Sequence, residues 1–156
     1  MTLVVSRTQR TFYEVTASTL ADVVSLLSED EAGKCDWGSG FDYDGVGNDG
    51  KARNLQVTME ITIELPRWIG RDSATATERR EWDRFLRALE AHEQGHERIA
   101  RAGAQTMYRR LQRTRASDLQ DAFEEEKQRI KRQDKAFDRR TDHGRKPLPG
   151  TVITVP

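Results

Sequence analysis

The chain has 156 residues, of which 35% are apolar and 33% charged. That balance excludes fibrous and membrane-spanning classes and suits one soluble globular domain over residues 1–156, long enough to bury a core. The formal net charge is zero, yet residues 1–66 carry 5 Lys+Arg against 11 Asp+Glu, and residues 67–156 carry 21 against 15. In the basic half the two signs alternate along helical segments, the pattern of a solvated helix face, so no nucleic-acid partner is expected. The single cysteine, Cys35, rules out an intrachain disulfide and a cysteine-based zinc site. No stretch approaches a membrane span, and the apolar run in Met1–Arg7 is too short for a signal peptide. As written, the sequence points to a cytoplasmic protein without membrane contact, or a secreted one if an export signal has been trimmed.

In chain order, residues 1–66 read as a small mixed or antiparallel α/β layer. Phe12–Val15 suits a short strand, and Ser18 or Thr19 can cap a helix whose apolar residues Leu20, Val23, Val24 and Leu27 follow the helical period. Cys35, Trp37, Phe41 and Tyr43 fall on alternate positions of a second strand interrupted by glycines, and Gly45–Gly50 is rich enough in turn residues for a hairpin. From Leu55 to Leu65 every odd position is apolar and every even one polar, so a strand with one face on the core is predicted, ending at Pro66. A loop over 67–77 follows. Thr75 with Glu78 fits a capping box opening a long helix from about Glu78 to about Arg113, with Trp82, Phe85, Leu86, Leu89, Ile99, Gly103, Met107 and Leu111 as its apolar stripe. Ser117 with Gln120 fits a second box, opening a partner helix to about Arg139 with Leu119, Phe123, Ile130 and Phe137 inward. Thr151–Val155 suits a closing strand. The fold class expected is α+β: a small sheet with one helix, packed on a long helix and its antiparallel partner over 78–143.

The chemistry is concentrated in His92-Glu93-Gln94-Gly95-His96. His92 and His96 extend the apolar stripe three and seven positions beyond Leu89, so they face inward. At i and i+4 two imidazoles stack along one helix face, close enough to share a metal ion. Glu93 sits about 100° around the helix, beside such an ion without ligating it, where it can take a proton from zinc-bound water. Two core histidines satisfied by other partners are the plainer alternative.

His143 follows the partner helix. From His96 to Ser117 the chain counts 21 residues and from Ser117 to His143 it counts 26. At about 1.5 Å per residue the legs are similar, so His143 is expected level with His96 as third ligand, leaving a position open for catalysis. Its alternative is a helix C-terminal residue favoured by the dipole. Asp134 and Asp138 suit acceptors that orient the ligand imidazoles, or else belong to a solvated face with Lys131, Arg132, Lys135 and Arg139. Glu124, Glu125 and Glu126 are rival third ligands. Arg139, Arg140 and Arg145 are candidates for oxyanion stabilisation by proximity alone.

Trp82 through His96, together with Phe137-Asp138-Arg139-Arg140-Thr141-Asp142-His143-Gly144, resembles a bacterial family of uncharacterised, predicted secreted zinc-dependent proteases. That family carries a tryptophan about ten residues before HExxH and a downstream Tyr-Asp-x-x-Thr-x-His-Gly element. Trp82, Asp138, Thr141, His143 and Gly144 match it, Pro66-Arg67-Trp68 is also similar, and Phe137 replaces the tyrosine. The resemblance implies a zincin-like metallopeptidase acting on a peptide or protein substrate, with His92, His96 and His143 on zinc and Glu93 as base. Phe137 lacks the hydroxyl that a tyrosine would offer a transition state. Two rival functions stand beside it. A non-catalytic zinc-binding interaction domain would close all four coordination positions. A basic helical nucleic-acid binder would lose affinity steeply with salt and ignore chelators.

Overall fold

Residues 1–27 and 32–143 are described by the computed structural model of the chain. They form an α+β fold in the order β1 (Thr2–Val5), β2 (Gln9–Thr16), α1 (Leu20–Leu26), β3 (Lys34–Asp42), β4 (Gly45–Val46), β5 (Ala52–Arg53), β6 (Gln56–Ile69), α2 (Ala76–Leu111) and α3 (Leu119–Thr141). The expected closing strand at Thr151–Val155 lies outside the described residues.

The alternating segment becomes the strand around which the sheet is ordered. Leu55, Val57, Met59, Ile61, Ile63 and Leu65 are almost wholly buried, while Gln56, Glu60 and Glu64 are exposed. β1 and β2 both run parallel to β6, with Thr2 opposite Gln56 and Gln9 opposite Thr62, and β3 also pairs with β6. The separate β4–β5 hairpin is antiparallel and is closed by Gly47 N–H on the Lys51 carbonyl at 2.9 Å.

Pro66 does not end β6, which continues to Ile69 with Tyr13 opposite the proline. The reason is the direction of its nitrogen. The Ile69 carbonyl accepts from Ala17 N–H, and the register with β2 is unbroken from Thr62 to Ile69, so odd-numbered backbone groups of β6 face β2 and Pro66 faces away. No ladder bond to β2 is lost. Beyond this point burial passes to Pro66 and Trp68, while Arg67 and Ile69 are exposed.

The chain divides into two compact units, Met1–Thr8 with Asp36–Ile61 and His96–Ala136, and Gln9–Cys35 with Thr62–Gly95 and Phe137 onward. Neither coincides with the layer over 1–66 or the helical pair over 78–143, because β6, α2 and α3 each contribute to both. The first unit buries Met59, Ile61, Ala104, Met107, Leu111, Phe123 and Ile130, with the Phe41 ring tilted on Phe123 at 4.9 Å. The second buries Val15, Val23, Trp68, Ala74, Trp82 and Phe85, and the Trp82 ring stands edge-on to Trp68 at 5.7 Å.

The first capping box forms as expected. Glu78 Oε2 accepts from Thr75 N–H at 3.0 Å, and Thr75 Oγ1 accepts from Glu78 N–H at 3.2 Å. Glu78 also serves α1, because its Oε1 accepts from Leu20 N–H at 3.0 Å. The second box does not form. The chain reaches α3 through a 3-10 turn over Ala116–Asp118, which moves the α-helical start to Leu119 and takes Ser117 off the capping position. Ser117 donates to Asp118 instead, and Gln120 to Glu124.

α2 and α3 are antiparallel. Gly103 lies against Ile130, where a Cβ would meet Ile130 Cγ1 at 2.4 Å, and Arg110 pairs with Glu125 and Glu126 near the turn. The buried alanines Ala100 and Ala104 flank Gly103 and widen the expected stripe.

The Leu20 N–H, followed by the Thr75 N–H and hydroxyl, holds the Glu78 carboxyl below the ordinary glutamate range. A depressed folded value stabilises above the ordinary range and is lost as pH falls through it. Urea titrations across pH should therefore show this part of the acid destabilisation absent from Glu78→Gln. Thr75→Ala should cost about 1 kcal/mol at neutral pH.

Candidate metal centre

The middle of α2 carries His92, Glu93 and His96, all three buried. The helix is unbroken through them, so the i, i+4 spacing alone sets one imidazole above the other. One turn before its end, α3 brings Asp138 to the same place. One ligand atom each from His92, His96 and Asp138 all lie within 4.8 Å of one another.

The donor set fits a divalent metal in its hydrogen bonds as well as its spacing. His96 Nδ1 lies 3.0 Å from Asp134 Oδ1. A carboxylate only accepts, so this contact makes Nδ1 the protonated nitrogen and leaves the Nε2 lone pair for a ligand. His92 presents Nδ1 to Thr141 Oγ1 at 3.4 Å and Nε2 to Asp138 Oδ1 at 3.3 Å. The Thr141 hydroxyl donates to the Phe137 carbonyl at 2.8 Å, so its lone pair faces His92 Nδ1–H. Each ring is thus held at one nitrogen and directed at the other. Two imidazoles and a carboxylate form a donor set used by catalytic zinc sites.

Glu93 is not among the three grouped ligand atoms, as its position around the helix predicts. Its carboxylate lies by Gly33, where a Cβ would stand 3.1 Å from Oε1 and 2.9 Å from Leu89 Cγ. The absence of a side chain at Gly33 therefore leaves the room that Glu93 occupies.

His143, expected as third ligand, is not part of the group. It is exposed two residues beyond the end of α3, with φ 52° and its N–H on the Asp138 carbonyl at 2.9 Å. The helix register explains the difference. His92 meets Asp138 and His96 meets Asp134, so a step of four along α2 is answered by a step of four back along α3. The second leg from the turn, longer by 5 residues, carries His143 past both histidines.

Asp138, placed by the sequence among orienting acceptors, stands in the group with His92 and His96, whereas Asp134 lies outside it, against His96 Nδ1. Of the rival glutamates, Glu126 is buried against Arg110 and Arg129, Glu125 pairs with Arg110, and Glu124 with Lys127. Arg140 lies over the Phe137 ring at 5.5 Å, and Arg145 is outside the described residues.

Sequence reasoning missed Thr141 and Trp37 as partners of the site. The signal for the α3 residues was present. Asp134, Asp138 and Thr141 follow the i, i+4, i+7 face that an antiparallel helix must turn toward an i, i+4 pair.

Phe137 and Gly95 set the separation of the helices here. The Phe137 ring stacks on His92 with centroids 5.0 Å apart, and its Cζ would lie 2.2 Å from a Cβ at Gly95. Gly95→Ala must push the ring away, so denaturant titration should show a loss of about 1–3 kcal/mol.

A family model described as "Bacterial protein of unknown function (DUF922)" matches residues 10–144. No curated protein and no solved structure matches the chain.

Proposed function

The chain belongs to this bacterial DUF922 family, whose description leaves function open, and from its own residues we propose that it is a zinc-dependent metallopeptidase. The observation that carries the reading is the convergence of His92 and His96 of α2 with Asp138 of α3, with the buried Glu93 next to His92 in the chain. The family is compatible with the proteases that Trp82–His96 and Phe137–Gly144 resemble.

In this reading His92, His96 and Asp138 hold the ion. Bound zinc would polarise the scissile carbonyl and lower the pKa of a coordinated water toward ~7. Glu93, buried beside His92, takes a proton from the attacking water and passes it to the leaving amine. Asp134 and Thr141 keep the two imidazoles in the tautomer that ligates. The substrate is a peptide or an unfolded protein. Nucleic acid is disfavoured because many of the basic residues are committed to carboxylates, among them Arg71 to Asp83, Arg101 to Glu97 and Arg110 to Glu125 and Glu126.

Metal analysis of protein purified without added zinc should find about one zinc per chain. His92→Ala and Asp138→Ala should lose it, whereas His143→Ala should keep it. Glu93→Gln should retain zinc yet hydrolyse an unfolded protein at least about a hundredfold more slowly. Zinc-free wild type would overturn the metal assignment, and full activity in Glu93→Gln would end the role of the base. Metal loss in His143→Ala with retention in Asp138→Ala would restore His143 as the third ligand.

A further inference from the structure

We infer that Trp37 is a positioning residue for His96, acting through Asp134. The inference rests on the zinc reading and extends it to a residue of the sheet outside the group of His92, His96 and Asp138.

Trp37 lies on β3, and its indole Nε1–H donates to Asp134 Oδ2 at 2.9 Å. The other oxygen, Oδ1, stands 3.0 Å from His96 Nδ1. Indole nitrogen is a donor only and an ionised carboxylate an acceptor only, so both bonds have one possible direction. An aspartate held at one oxygen can rotate about its carboxyl bond. Held at both, its plane is fixed, and so is the imidazole that donates to it.

The need for such a tie is written in the surroundings of Asp134. It sits in Lys131-Arg132-Gln133-Asp134-Lys135, and Lys131, three residues earlier, is a helix neighbour of opposite charge. Lys131, Arg132 and Lys135 are all exposed, whereas Asp134 is only partly so. Without the indole, the carboxylate is open to capture by Lys131. With it, the carboxylate stays on His96, Nδ1 keeps its proton, and Nε2 stays directed at His92 and Asp138. Trp37 thus sets the orientation of a ligand two hydrogen bonds away.

Two measurements test this. In metal-free protein, at a pH where the imidazole is neutral, long-range proton–nitrogen correlation spectra should show His96 as the Nδ1–H tautomer. Trp37→Phe should give a mixture with Nε2–H. In zinc titrations against a competing chelator, Trp37→Phe should weaken binding roughly tenfold, the lower end of what a lost hydrogen bond to a charged group costs. Asp134→Ala should weaken it about 10- to 100-fold, and adding Trp37→Phe to that variant should cost nothing more. If Trp37→Phe does not fold, benzothienylalanine at Trp37, which keeps the ring shape and lacks the N–H, should give the same two results. An unchanged His96 tautomer with unchanged zinc affinity would overturn the inference. So would a loss that persists in the Asp134→Ala background, because it would mean that the indole acts by packing. If wild type binds no zinc, the metallopeptidase reading falls, while the tautomer measurement still decides whether Trp37 orients His96.

Discussion

α2 and α3 approach each other at two glycines, and that approach governs what the rest of the chain can assemble. At Gly103 the side chain of Ile130 fills the place of a Cβ, and at Gly95 the ring of Phe137 does the same. Each contact is a shape match that tolerates no shift by a residue, because interiors are packed too densely to absorb a misplaced methyl group. The antiparallel register is therefore held at two points along the pair. Between them, His96 is brought opposite Asp134, and beyond Gly95, His92 is brought opposite Asp138 and Thr141.

From that register follows the division of labour among the polar groups of the site. Burying two imidazoles and a glutamate is costly unless their polar atoms are satisfied. α3 supplies Asp134 and Thr141 to one nitrogen of each ring, and Asp138 to the face where the other nitrogens point. The sheet adds Trp37 behind Asp134, and Gly33 clears the space beside Glu93. Three side chains that could hold a metal ion, and a buried glutamate, are thus carried on regular helices rather than loops, the arrangement on which precise positioning depends. Peptide hydrolysis is the chemistry that such a group would serve in the reading proposed above.

The helix starts show the same economy. Glu78 closes the capping box of α2 and also receives the first N–H of α1, so one carboxylate ties two helix N-termini together. At α3 a backbone contact does the work, since the Ala116 N–H reaches the Gly50 carbonyl at the tip of the hairpin and a 3-10 turn leads into the helix. Gly50 takes a φ of 75° in the hairpin, a conformation that favours glycine.

What the sequence determined by itself was whatever depends on neighbours in the chain. The odd-numbered apolar positions from Leu55 to Leu65 were enough to specify a strand with one buried face, and Thr75 with Glu78 a helix start. His92 and His96 on the stripe of Trp82, Phe85 and Leu89 were enough to specify a buried imidazole pair. These follow from the periods of 2 and 3.6, which are local and readable. Only the tertiary structure decided which residues meet across elements. Pro66 stays inside β6 because its nitrogen faces away from β2, which depends on the strand pairing and not on the proline. Asp138 replaces His143 beside the histidines because the turn and the glycine contacts set the helix register. Trp37 reaches Asp134 from 97 positions away in the chain. A spacing along the chain has no memory of such distances, since the register between elements is chosen by side-chain packing summed over the whole interface.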